Sequence, residues 1–185
     1  MHPRLAVNSL SSASWTLEQD LDLYADLGVT AAAFYFDKLA AAGLDRAIEL
    51  IGASGLRTVH VFTRGLTLHD ESTWPADQAR LRAGIEVAAE LGAPWFGLTA
   101  GPAGSLGWDG AATALGRGIE PLVAAGAAGG VRLAIEHSLP VRVEIGFVHS
   151  LRDCIDLAGR LGIGATMECN YCFAERDLAA TVTNG

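Results

Sequence analysis

Six short runs of β-forming residues recur along this chain at intervals of roughly 26 to 37 residues, and each leads into a helical stretch. The runs are Arg4–Asn8, Ala31–Phe36, Arg57–Phe62, Pro94–Thr99, Val131–Glu136 and Ile163–Glu168. A strand that returns to its neighbour through a helix must run parallel to it, so the repeat predicts a parallel sheet covered by helices. No linker or low-complexity segment interrupts the pattern, and residues 1–185 are read as one domain.

The helices carry their own start and stop signals. Thr16 with Gln19 forms a capping box ahead of Leu17–Leu27, and Ser150 with Asp153 forms another ahead of Leu151–Leu161. Pro75 suits the first turn of a helix running to Leu91, and Gly92 stops it. A further helix is expected over Trp108–Ala128, despite its glycines.

Strand alternation assigns faces. In the fifth run, Val131, Leu133 and Ile135 share one side, while Arg132, Ala134 and Glu136 share the other. In the sixth, Gly164, Thr166 and Glu168 oppose Ile163, Ala165 and Met167. The aliphatic faces are expected on the helices and the smaller, polar faces inside a barrel. Glu136 and Glu168 then point inward at the C-terminal ends of adjacent strands, where the chemistry of a (β/α) barrel is placed. Six units make an incomplete barrel, and 185 residues fall short of the roughly 250 of a full eight-unit one.

Composition narrows the partners. The net charge of −8, with 13 Lys and Arg, gives no bulk basic surface for nucleic acid. No apolar run reaches the ~18 residues of a membrane span, and the N-terminus lacks a signal-peptide core, so a cytoplasmic protein is expected. Three cysteines do not make a disulfide framework.

Several motifs resemble the sugar phosphate isomerase/epimerase family, the xylose-isomerase-like TIM barrels. They are Arg4-Leu5-Ala6-Val7-Asn8-Ser9, Asp70-Glu71-Ser72-Thr73-Trp74-Pro75, Leu98-Thr99-Ala100-Gly101-Pro102, Leu133-Ala134-Ile135-Glu136 and Phe147-Val148-His149-Ser150-Leu151-Arg152-Asp153. Their order and spacing carry the resemblance, which covers nearly the whole chain. It implies a divalent metal (manganese, magnesium or zinc) at the barrel mouth, with Glu136 and Glu168 as ligands. It also implies proton transfer next to a metal-polarised carbonyl of a small carbohydrate. The sequence departs from the family pattern at Tyr171, where many relatives carry a histidine. It also departs in lacking the seventh and eighth units that bring further ligands. An open six-stranded sheet would leave two edges for a homo-oligomer contact or a completing chain.

The remaining candidates have two readings each. Glu136 is a metal ligand and catalytic carboxylate, or the partner of Arg4, Arg57 or Arg132. His60 orients or protonates a substrate oxygen, or is a structural histidine. Asn8 and Thr99 bind substrate hydroxyls or belong to loop geometry. Asn170 contacts substrate or shares a polar network with Glu168. Trp15 and Trp108 wall a sugar ring from their β-to-α loops, whereas Trp74 staples a helix start. His137 is expected to point outward in a structural role, and His69 and His149 to lie at the surface or to cap. Cys169-Asn170-Tyr171-Cys172 straddles a strand end, which disfavours a redox or zinc site. The expected activity is a metal-dependent sugar isomerase or epimerase. The alternatives are a sugar dehydratase or deglycosidase on the same scaffold, and a truncated, non-catalytic barrel. An endonuclease of this fold is disfavoured by the acidic charge and the scarcity of inward histidines.

Overall fold

The computed structural model describes residue 2 and residues 4–184, with side chains undescribed at Ala174 and Asn184. Six parallel strands form one sheet in sequence order: β1 (Val7–Asn8), β2 (Ala31–Tyr35), β3 (Arg57–Thr63), β4 (Trp95–Thr99), β5 (Arg132–Glu136) and β6 (Gly164–Thr166). The helices are α1 (Leu17–Asp26), α2 (Phe36–Ala42), α3 (Leu44–Ser54), α4 (Trp74–Glu90), α5 (Trp108–Ala128), α6 (Leu151–Leu161) and α7 (Leu178–Asn184). The arrangement is a partial parallel (β/α) barrel.

The expected caps are in place. Thr16 Oγ1 accepts from Gln19 N–H, and the Gln19 side chain accepts from Thr16 N–H, closing the capping box of α1. Ser150 Oγ accepts from Asp153 N–H at the start of α6. A signal absent from the sequence reading adds to it: the Glu175 carboxylate accepts from Leu151 and Arg152 N–H, occupying the positive end of the α6 dipole.

The outer face of the sheet packs on the helices. Phe34, Val61, Phe96, Leu98 and Ile135 are buried there with Leu81, Ile85, Leu115 and Ile119. Close approach sets one residue: a Cβ on Gly84 would sit 2.5 Å from Phe96 Cε2, so only glycine lets α4 lie on β4. The inner face carries small residues between a few large rings. At its N-terminal end the Arg132 guanidinium stacks 3.8 Å over the Trp95 ring. A Cβ on Gly164 would meet that ring at 2.6 Å.

β3 contains a bulge. Ala32 pairs with Thr58 but Ala33 pairs with His60, leaving Val59 as an extra residue. Thr58 therefore shares the helix-facing side of Ala32, while His60 and Phe62 share the inner side of Ala33 and Tyr35. The shift explains the buried Thr58 hydroxyl, which has no hydrogen-bond partner.

The sequence overextends the terminal strands. β1 keeps only Val7–Asn8, and β6 ends at Thr166. Glu168 is thus off the strand expected to carry it. Its Oε1 accepts from Asn170 N–H at 2.9 Å and starts a 3-10 turn over Cys169–Ala174. A local carboxylate-to-amide bond competes with continued strand pairing there.

Candidate active site

The C-terminal ends of the strands gather the inner-face polar groups. Thr99, Glu136 and Thr166 lie in register across β4, β5 and β6. Glu136 is half-buried at the end of an otherwise apolar strand, and its carboxyl pKa is pushed up to about 7. Burial is the larger cause, because it disfavours the charged form; the negative charge of Glu168 adds to it. Neither influence is a cation. Arg132, a suggested ion-pair partner, is committed to Trp95 at the other end of β5, roughly 13 Å away at ~3.3 Å per residue.

Glu168 reaches the site from its turn rather than from strand phase, and its charge acts on Glu136. Asn170 is exposed in the same turn, its N–H bonded to Glu168. Tyr171 sets its ring edge-to-face on His137 at 5.9 Å.

His60 lies on the inner face of β3 with its pKa lowered by burial, so the imidazole is neutral near pH 7. Its ring meets Phe62 edge-to-face at 5.4 Å. Phe62 in turn lies 5.4 Å from Tyr35. Gly97 makes room for this wall, since a Cβ there would come within 3.2 Å of Phe62 Cβ. Tyr35 and Phe62 were passed over in the sequence, although the alternation that selected His60 also selects Phe62. The Tyr35 hydroxyl donates to Asp37 at 2.7 Å, and its pKa is pushed up to about 12, mainly by burial.

Asn8 and Thr99 perform backbone work at the rim. Asn8 Oδ1 accepts from Leu10 N–H at 2.9 Å, and Thr99 Oγ1 accepts from Gly65 N–H at 3.0 Å. Trp15 and Trp108 are 43% and 38% exposed, so their rings have open faces, and Trp108 packs edge-to-face on Phe147 at 5.0 Å. Trp74 is buried, and its Nε1–H donates to the Thr67 carbonyl at 3.1 Å.

His137 is fully buried, with Nε2 3.6 Å from Cys172 Sγ. Of the Cys-x-x-Cys pair, Cys169 is exposed and Cys172 buried, and burial raises the Cys172 thiol pKa rather than activating it. His69 and His149 do not cap helices; their Nδ1 atoms bond to the Pro102 and Ser138 carbonyls. A buried ion pair escaped the sequence reading altogether. Lys38 Nζ donates to Asp20 at 2.5 Å and to the Ser9 and Ser12 carbonyls, pinning the loop after β1 to α1 and α2.

Among the described residues, no three His, Cys, Asp or Glu side chains converge as a metal site, and no helix is long and apolar enough to cross a membrane.

No protein-family model matches the sequence, and no curated protein does. Solved structures match well, and they define the fold as that of the xylose-isomerase-like TIM barrels. One is protein SMc04130 from Sinorhizobium meliloti 1021, with 27% identity over 98% of this chain and 69% of that one, at a TM-score of 0.82. A second is 3-keto-D-glucoside 4-epimerase from E. coli, with 13% identity, 97% and 73% coverage, and a TM-score of 0.77. A third is the IOLI protein with a bound zinc atom, with 12% identity, 97% and 68% coverage, and a TM-score of 0.81.

Proposed function

We propose that this chain carries the proton-transfer half of a metal-assisted sugar isomerase or epimerase site, with Glu136 at its centre. The observation that carries the reading is the Glu136 carboxyl, half-buried at the catalytic end of the barrel with a pKa of about 7. A carboxyl poised there takes a proton from a carbon next to a carbonyl and returns it at neutral pH. The neighbours that include a sugar epimerase and a zinc-binding protein of the same fold support the reading.

Glu136 and Glu168 suit two ligand positions of a divalent cation. Both are acidic, and a cation there would offset the burial cost and the repulsion and hold Glu136 ionised, the form in which it accepts a proton. Manganese, magnesium or zinc bound there would supply Lewis acidity towards the substrate oxygens. Two carboxylates are fewer than such an ion takes, so the remaining ligands lie beyond these two. His60, neutral and inward, would hold a substrate hydroxyl or carbonyl oxygen, and the Tyr35–Phe62 wall would cover the carbon face of a small sugar. Asn8, Thr99 and Asn170 keep substrate roles only through atoms not engaged in the rim bonds described above. Residues 1–185 would form a single domain, with a homo-oligomer contact or a completing chain at the open sheet edges.

The test is hydrogen exchange into a neutral ketohexose. With Mn²⁺ in D₂O, the chain should place deuterium at the carbon beside the fructose carbonyl, and Glu136→Gln should abolish it. Exchange that persists in the glutamine variant would overturn the assignment.

A further inference from the structure

At the same end of the barrel, the loops after β3, β4 and β5 line an open cavity of about 530 Å³. Its walls are largely carbon, from Pro102, Val143 and Phe147, and two histidines, His69 and His149, interrupt them. Both rings are held the same way. His69 Nδ1 lies 3.3 Å from the Pro102 carbonyl oxygen, and His149 Nδ1 lies 3.2 Å from that of Ser138. A carbonyl oxygen only accepts, so each Nδ1 carries the ring proton. Nε2 is then the ring nitrogen of each that the carbonyl contact leaves unengaged.

The loops that line it are tied to one another. Gly101 bridges to Gly146, joining the β4 and β5 loops. Gly104 has φ +58°, and a Cβ there would lie 2.4 Å from His69 Cγ, so this glycine lets its loop close on the ring. Phe147 is braced edge-to-face by Trp108 at 5.0 Å. The Ser138 carbonyl that fixes His149 is two residues beyond Glu136, on the loop that leaves the C-terminal end of β5.

An apolar wall with one braced aromatic ring and two histidine Nε2 atoms suits a ligand that offers a C–H face and hydroxyl groups. A cation is poorly served, because the cavity's carboxylate, Glu144, is paired with Arg142 and no three metal-binding side chains converge among the described residues.

We propose that this rim cavity binds a second, neutral hydroxylated ring, the far half of a disaccharide or glycoside whose near ring lies at Glu136. The proposal rests on the carbohydrate reading of the mouth, and the test separates the two. Maltose and glucose would be titrated into ¹⁵N-histidine-labelled chain, observed by long-range ¹H–¹⁵N NMR. In the free chain His69 and His149 should show the Nδ1–H tautomer. Maltose should move both Nε2 resonances with an affinity at least about tenfold tighter than glucose, a difference of about 1.4 kcal/mol. His149→Phe should remove that advantage and leave glucose binding unchanged. His69→Phe, at an exposed position, should do the same if the first variant folds poorly. An Nε2–H tautomer overturns the proposal. So does equal affinity for the two sugars in the folded chain, or histidine resonances that stay still up to about 100 mM maltose, beyond the millimolar range of weak sites. Histidine shifts with maltose that survive in Glu136→Gln, without exchange activity in the parent chain, would keep the rim site and refute the proposed reaction.

Discussion

Glu136→Gln should stabilise the fold, and the gain should grow with pH. The Glu136 pKa rises from 4.5 to about 7 on folding, so between these values the native chain holds a proton that the unfolded chain has released. Native stability from this group is therefore complete below pH 4.5 and is lost as pH rises through 7. The rise from 4.5 to about 7, at about 1.36 kcal/mol for each step of one in pKa, bounds the loss at roughly 3 to 4 kcal/mol. Most of it falls between pH 5 and 8.5. Glutamine has no charge to bury, so its unfolding free energy should exceed that of the parent by an amount that grows by about 2–3 kcal/mol across this window. Urea denaturation followed by tryptophan fluorescence would measure the difference, and taking it between the two proteins cancels the titration of the other carboxylates. Parallel stability curves would refute a buried, repelled carboxyl at position 136.

Asp20→Asn leaves the buried Lys38 ammonium with carbonyl partners alone and should cost about 3–5 kcal/mol in denaturation, whereas Asp20→Leu with Lys38→Met should recover much of it. A thiol-specific reagent at pH 8 should modify Cys169 alone in the native protein. Cys154, its thiol pushed up to about 12 mainly by burial, and the buried Cys172 should react only after unfolding; a second fast equivalent would contradict the packing.

The parts of the fold legible in the sequence are those decided locally. Caps placed Leu151–Leu161 at the observed bounds, because Ser150 and Gly162 are its own start and stop, and Trp108–Ala128 also matches although Gly107 gives it no side-chain cap. Alternation placed Glu136 and His60 on the inner face for the same reason. What the sequence could not show depends on contacts far apart in the chain. Lys38 and Asp20 read as surface charges until the loop after β1 brings carbonyls to them. Glu168 reads as the end of a strand because nothing in Met167-Glu168 announces the side-chain bond to Asn170 that turns the backbone away. His69 and His149 look like isolated loop residues, 80 positions apart, until three loops fold into one rim.

The extra residue in β3 has a consequence for how this barrel can change. Val59 acts as a phase switch: upstream of it the strand faces the helices on one parity, and downstream on the other. Removing that one residue would leave Thr58 opposite Ala32 and His60 opposite Ala33 in an unbroken ladder, so His60 and Phe62 would still face the mouth. Drawing Val59 into the ladder instead would turn His60 and Phe62 towards the helix layer and present Val61 and Thr63 to the mouth. The chemical character of this sector of the barrel is thus set by whether one residue is paired or left out, as much as by the identity of its neighbours.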